Sequence, residues 1–450
     1  MLLCCATLFF LYFFGLTRTG LLGPDEPRYA AIGRAMSDTG DWVTPRLWGE
    51  PWFEKPALLY WMTAAGFKAG LGLDFAPRLP VALLSVGFLI YFFAALRREF
   101  GERPAFYATA ILATSAGWLA YSHIAVPDLP MSAAFAAAML IVMRQPLADA
   151  RGSVAAGALL GVAVLAKGLV PLVLFLPAIW FMRRRVRELL ILFAATAAIA
   201  APWYALATLR NGSPFLEDFF WKHHFQRFFS GALQHERPIW YFIPVLAAGL
   251  FPWSPLALAL FSKRIYRDQR ARFLLVWFGW GFLFFSLSSN KLPGYLLPLF
   301  PAVAALLGIA IGESPKRSLK TTWLLAACAA LFWFIPAIQE MLPQALLSGL
   351  SRAQIHLPTA WIIPACAITL FCAVLEWIGR RSAAIGFVAL LATLAAMRLI
   401  WQTYPVLDRT VSARNLWITH AESITCVSED DRSRHYGLNY YAGRNLPDCN

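Results

Sequence analysis

Charge is scarce in this chain. Asp, Glu, Lys and Arg make up 14% of its 450 residues and hydrophobic residues 59%. Soluble domains carry about 25% charged residues, so a soluble globular protein is excluded and an integral membrane protein is left. The Gly-x-x-x-x-Gly-Lys cradle of nucleotide-binding loops and the dinucleotide fingerprint are also missing, and a donor carried by a membrane lipid would need neither. Short-period repeats and low-complexity tracts are lacking too, whereas transporters are commonly built from internal repeats. Cysteine is sparse, with seven residues. Cys4, Cys5, Cys328, Cys366 and Cys372 sit inside apolar runs and read as small core residues. Cys426 and Cys449 lie in a polar tail, where an extracytoplasmic location is compatible with a disulfide.

What the chain has in quantity is aromatic and aliphatic surface. Eighteen Trp and 35 Phe suit a lipid-facing exterior with interfacial belts. The net charge of +14 is concentrated between apolar runs. Its clusters are Arg97, Arg98 and Arg103; Arg183, Arg184, Arg185 and Arg187; Lys263, Arg264, Arg267, Arg270 and Arg272; Lys316, Arg317 and Lys320; Arg380 and Arg381. Cytoplasmic placement of these loops satisfies the positive-inside rule. That position explains the basic balance better than a nucleic-acid partner does.

A span takes about 20 apolar residues. On that measure the sequence predicts about thirteen transmembrane helices: 2–16, 77–96, 105–121, 129–143, 153–166, 168–182, 188–206, 239–261, 273–288, 295–312, 321–338, 359–378 and 383–403. The first segment has no basic n-region and no small-residue cleavage site, so it reads as a span rather than a signal peptide. Lys167-Gly168 reads as a tight turn between two crossings, or else 153–182 is one long helix. An odd count puts the N-terminus inside and the C-terminus outside. Four segments then face outward: 17–76, 122–128, 207–238 and the tail 404–450. The fold class is an all-α polytopic membrane protein, with a transmembrane domain over 1–403 and a short extracytoplasmic tail or cut-down cap. Within the first outer loop, Tyr29 to Ser37 suits a helix stopped by Gly40. Ala57 to Lys68 suits a helix lying in the interface, as do Phe215 to Phe229 in the second loop.

Chemistry-bearing residues crowd into these outward segments. Asp25-Glu26 opens the first loop helix, and a carboxylate there can act as a base, orient a hydroxyl or hold a cation. The alternative is an N-terminal helix cap. Asp128 lies between two prolines in the second outward segment, as an aimed carboxylate or a solvated turn residue. Glu54-Lys55-Pro56 sets an acid beside a base. Lys167 and Lys291 are lone cations at outward span ends, suited to phosphate or simply snorkelling. Ser289 to Tyr295 joins Lys291, a tight turn and a Tyr hydroxyl. His223, His224 and Arg227 share one aromatic stretch. A metal site of Glu54 with His223 or His224 is conceivable, although adjacent histidines on one helix point apart.

Taken in order, Asp25-Glu26-x-Arg28-Tyr29, Gly40-Asp41-Trp42-Val43-Thr44-Pro45, Phe53-Glu54-Lys55-Pro56, Pro127-Asp128 and Lys291-Leu292-Pro293-Gly294-Tyr295 resemble the bacterial lipid A aminoarabinose transferases and their relatives. These are GT-C glycosyltransferases related to the protein O-mannosyltransferases. The resemblance runs from about residue 23 to 301, and the chain is shorter than typical members. It implies inverting transfer of a sugar from a polyprenyl-phosphate donor to an acceptor on the outer side of the bacterial inner membrane. It carries Asp25 and Asp128, with neighbouring Glu26, over as catalytic carboxylates. Lys55, Tyr295 and Arg227 carry over as lipid-phosphate contacts, with Lys291 and Arg28 as further donor-binding cations. Glu54 and a loop histidine fall where a structural divalent metal, zinc among the candidates, is associated with the family. Expected partners are the lipid-linked donor, a lipid or glycan acceptor and membrane lipids, with a monomeric protein. The competing expectations are a flippase of polyprenyl-linked glycans and a non-catalytic binder of lipid-linked sugar.

Overall fold

The computed structural model describes residues 2–144, 150–219, 237–263, 265–349, 352–356 and 359–449. His223, His224, Arg227 and most of the second outer loop lie outside the described residues. The chain is helical almost throughout. Among the described residues the sheet is a single hairpin, with Arg46 facing Pro51 and Leu47 facing Glu50. Its turn, Trp48-Gly49, has positive φ at both positions (53° and 92°), the geometry of a tight hairpin turn.

The helices that build the site are α1 (Leu2–Tyr12), α2 (Asp25–Thr39), α3 (Leu58–Lys68), α4 (Phe75–Phe100), α5 (Glu102–Thr114), α6 (Ala116–Ser122), α7 (Asp128–Met143) and α8 (Ala150–Lys167). Gly40 ends α2 in the left-handed conformation (φ 72°), where a side chain would be strained. Eight helices are long and apolar enough to cross a membrane, or nine if the pair Ile239–Gly249 and Ser254–Phe261, bent by 113°, is one span. The protein is thus a multi-pass membrane protein. Four expected spans are shorter or broken. The first is the 11-residue α1, and α7 has 16 residues. The 105–121 run breaks at Ser115, and 168–182 splits into Val170–Leu174 and Leu176–Met182. Gly168 (φ 75°) ends α8, which decides against one long helix over 153–182.

Burial sorts the spans into layers. The helical stretch Pro293–Glu313 is central, with 94% of its apolar window inside the protein, while Thr359–Trp377 is peripheral at 11%. The peripheral helix exposes Ile363, Leu370 and Phe371, a surface that suits lipid rather than water. Cys366 is on this helix and is exposed, so it is not the core residue expected, whereas Cys328 and Cys372 are buried. Cys426 and Cys449 form a disulfide.

The segments between the helices are tied to one another at one end of the bundle. Trp203 Nε1 donates to the Val43 carbonyl at 3.0 Å, and Arg210 reaches Asp41 at 2.7 Å. The C-terminal segment folds as Tyr404–Thr410, Ala413–His420 and Arg432–Ala442. It docks by Tyr440 Oη donating to the Leu73 carbonyl (2.6 Å) and Tyr441 Oη to Asp74 (2.7 Å). Gly20 makes room for this docking, since a Cβ there would lie 2.6 Å from the Tyr441 hydroxyl. The helix α3 buries Leu59, Tyr60, Thr63 and Ala64, so it is half-embedded in protein.

Candidate active site

The site is assembled from two carboxylates on separate segments. Asp25 is the first residue of α2, and Pro24 occupies the N-cap position. The Asp25 Oδ1 accepts from Arg28 Nη2 at 2.6 Å, and the side chain is 50% exposed. Asp128 starts α7 and is only 15% exposed. It is not a solvated turn residue, because Lys167 Nζ donates to its Oδ1 at 2.6 Å. Lys167 also lies 5.0 Å from the Tyr295 ring centroid. Gly294 permits this closeness, since a Cβ there would stand 2.5 Å from Asp128 Oδ1 and 2.6 Å from the Tyr121 hydroxyl. The Ala125 N–H, just before Asp128, donates to the carboxylate of Glu26, the neighbour of Asp25, at 2.9 Å, so the two aspartates lie on segments that are bonded to one another.

Glu26, next to Asp25, has a different environment. It is 1% exposed and accepts four hydrogen bonds. Arg78 supplies two, at 2.7 and 2.8 Å. The Leu22 and Ala125 backbone N–H groups supply the others, at 2.8 and 2.9 Å. Arg78 in turn donates to the carbonyls of Leu16, Thr19 and Gly20. One carboxylate thus joins the segment before Asp25, the start of α4 and the segment before Asp128.

Glu54 and Lys55 follow the hairpin. Glu54 forms ion pairs with Arg28 at 2.9 Å and with Lys55 at 3.2 Å. Burial tends to lower the Arg28 pKa, but Glu54, Tyr29 and Asp25 outweigh it, so the guanidinium stays charged. Burial, then the Glu54 carboxylate, pushes the Tyr29 and Tyr60 phenols well up, and both remain protonated. Lys291 is 5% exposed, and its ammonium donates to the Arg237 carbonyl at 3.0 Å and to the Ser288 carbonyl. Those bonds anchor the turn that presents Tyr295. Among the described residues, no three His, Cys, Asp or Glu side chains converge as a metal site. Glu54 already receives two cations, so the described residues do not fit a metal on their own.

The comparisons bear on this constellation. Residues 54–205 match the dolichyl-phosphate-mannose-protein mannosyltransferase family. The undecaprenyl phosphate-α-4-amino-4-deoxy-L-arabinose arabinosyl transferase of Edwardsiella ictaluri is 35% identical over 67% of this chain. The enzyme of the same name from Erwinia tasmaniensis is 33% identical over 70% of it. These matches span 58% and 60% of the relatives' own lengths, less than two thirds. The crystal structure of ArnT from Cupriavidus metallidurans bound to undecaprenyl phosphate superposes with a TM-score of 0.80 at 27% identity, covering 99% of this chain and 85% of that one. The chain is of GT-C type and resembles the aminoarabinose transferases. The oligosaccharyltransferase of Archaeoglobus fulgidus, at TM-score 0.50 and 12% identity over 88% of this chain and 55% of that one, shares the fold alone.

Of the expected site residues, this GT-C fold brings Asp25, Arg28, Glu54 and Lys55 into one connected group and Asp128 and Tyr295 into another. Lys167 and Tyr121 join the second group, and Glu26 pairs with Arg78 apart from both. Lys167 was legible as a lone cation ending an apolar run. Arg78 carried a similar signal, one turn into a 26-residue helix otherwise almost free of charge until its end.

Proposed function

We propose that this protein transfers a sugar, with inversion, from a polyprenyl-phosphate donor to a lipid A-like or other cell-envelope acceptor. What supports this reading is that Asp25 and Asp128, each paired with its own cation, lie on segments that Glu26 bonds to one another. The named activity of the relatives supports the donor class, undecaprenyl phosphate-linked aminoarabinose in particular. Transfer passes through an oxocarbenium-like state. The leaving group is a lipid phosphate whose charge grows as the bond breaks. Cations fixed at that oxygen stabilise the transition state more than the ground state. Lys55 and Lys167 fit this role, with the Tyr295 ring beside Lys167, and Arg227 is proposed from its place in the motif order.

Asp25 is the more accessible carboxylate and serves as base toward a hydroxyl acceptor. A phosphate acceptor is ionised near neutral pH, and Asp25 then orients it. Asp128, more enclosed, holds Lys167 and Tyr295 in place. Glu26 sets the spacing of the two aspartate segments and does not itself react. We further propose that the loop end is periplasmic, that the N-terminus is cytoplasmic, and that the protein acts as a monomer. Counting the bent pair and the four shorter segments as crossings gives the thirteen spans. A flippase would need ionisable groups near the bilayer midplane, whereas the central stretch Pro293–Glu313 has no ionisable residue between Tyr295 and Glu313.

The test is transfer in vitro. Purified protein is offered short-chain polyprenyl-phosphate sugars, aminoarabinose among them, with a lipid extract as acceptor. Prenyl-phosphate release that collapses in Asp25→Asn and Asp128→Asn supports the reading. Donor binding without turnover overturns it and directs the work to transport across vesicles.

A further inference from the structure

Arg28 looks at first like a ligand for the donor phosphate, yet its surroundings leave no opening for one. The residue is 3% exposed. A single nitrogen, Nη2, bridges Asp25 Oδ1 at 2.6 Å and Glu54 Oε2 at 2.9 Å. Its Nε is buried without a hydrogen-bond partner among the described residues. Three aromatic rings surround the guanidinium: Tyr29 at 5.3 Å, Trp52 at 5.5 Å and Tyr436 at 5.1 Å from their centroids. Ring faces attract a cation where hydrogen bonds are missing, and they leave it free to keep its bonds to the two carboxylates.

The three rings come from three parts of the chain. Tyr29 is on α2 and Trp52 follows the hairpin. Tyr436 belongs to the C-terminal helix Arg432–Ala442, more than 400 residues from Arg28 in sequence. That helix has fixed anchors. Tyr441 Oη accepts from the Leu21 N–H at 2.8 Å while donating to Asp74. Arg414 spans Asp74 (2.7 Å) and Asp408 (2.9 Å). The Cys426–Cys449 disulfide closes the segment around the helix. Tyr441 and Arg414 bind the C-terminal segment to Leu21, just before Asp25, and to Asp74, just before α4, while the disulfide and the Arg414–Asp408 pair close the segment on itself.

We propose that Arg28 is a positioning residue that aims Asp25, and that Tyr436 closes the cage that holds Arg28. The C-terminal segment is then a wall of the active site. The chemical half of this proposal rests on the transferase reading above. The structural half does not, and the test separates them.

Tyr436→Leu keeps apolar volume and removes the ring face. With the short-chain aminoarabinose donor, kcat falls about tenfold, the loss a misaimed base produces. The donor KM stays within about twofold. Tyr436→Phe restores most of kcat. Arg28→Lys also loses about tenfold, because an ammonium lacks the planar guanidinium that the three rings enclose. In parallel, melting temperatures are measured for Tyr436→Leu, Arg28→Leu and the double variant. The double variant falls short of the summed shifts by about 2 °C or more if the cage exists. Additive shifts overturn the cage whatever the activity. Wild-type kcat in Tyr436→Leu, or a change confined to KM, overturns the aiming role. If the wild type turns nothing over while the melting shifts remain coupled, the cage stands, and Arg28's catalytic role falls with the transferase reading.

Discussion

Two buried arginines, at different places in the bundle, are held in nearly the same way. Arg78 pairs with both oxygens of Glu26 and donates to the carbonyls of Leu16, Thr19 and Gly20. Arg381 pairs with Glu376 and donates to the carbonyls of Ile311, Ser314 and Pro315. Both glutamates are 1% exposed or less. Arg78 binds carbonyls of the irregular segment between α1 and α2, and Arg381 binds carbonyls at and just past the end of the helix Phe300–Glu313, groups that regular helix bonding leaves without partners. The difference is on the carboxylate. Glu26 also accepts from the Leu22 and Ala125 N–H groups, which lead into Asp25 and Asp128. The Glu376 bonds among the described residues are to Arg381, five residues along the chain. The same device is local in one place and joins the two halves of a site in the other.

The largest expected effect separates chemistry from that scaffold. Asp25→Asn keeps the shape and half the hydrogen bonding of a half-exposed group outside either knot. Transfer should fall by about 10²–10⁴-fold, the range for a lost general base, with the melting temperature nearly unchanged. A large loss of stability would instead put Asp25 inside the scaffold, and the contrast with Glu26 would vanish.

Next come the two knots themselves. Glu26→Gln and Glu376→Gln each leave a buried guanidinium without its counter-charge, a change worth about 3–5 kcal/mol. Similar losses of stability are expected. Transfer per folded molecule should fall about 10–100-fold for Glu26→Gln, because misplacement of reacting groups is costly, and stay within about twofold for Glu376→Gln. Equal losses of kcat in both would show that Glu26 supports folding and nothing more. A smaller effect is expected for Lys167→Met, about tenfold in transfer. It removes one cation from the leaving group and releases Asp128. An unchanged rate would reduce Lys167 to a snorkelling side chain.

The contrast also explains what the sequence could disclose. Apolar runs revealed the spans, because crossing a bilayer imposes length and composition on a continuous segment. Gly40 and Gly168 revealed helix ends, because a left-handed residue is a local property. Asp25, Asp128, Lys55 and Tyr295 stood out as polar residues at outward span ends. Glu26 stands beside Asp25 in sequence, and that adjacency does not show the Arg78 that pairs with it from 52 positions later. Nor does the sequence around Arg28 show the Tyr436 ring that reaches it from the far end of the chain. The breaks at Ser115 and within 168–182 were illegible in an apolar count, which does not register where a helix changes direction.

The last and smallest effect tests how dry the joining segment is. His123 stands two residues before Ala125 and is 6% exposed. Its Nδ1 lies 2.9 Å from the Leu119 carbonyl, while Nε2 is buried without a partner among the described residues. Burial lowers its pKa from 6.5 to about 4, helped by the nearby Arg78 charge and opposed by the Leu119 carbonyl. The ring is therefore neutral near pH 7 and gives no proton to the reaction. Between pH 6.5 and 4 the unfolded chain binds a proton that the folded chain refuses. Stability from this group is complete above the upper value and declines as pH falls through the window, by about 3 kcal/mol in all. His123→Phe keeps a ring and cannot titrate. The drop in melting temperature from pH 7 to pH 5 should be shallower in the variant than in the wild type. Parallel drops would mean that water reaches His123, and a wet ring beside the Glu26–Ala125 bond would weaken the case that this knot fixes the spacing of the two aspartates.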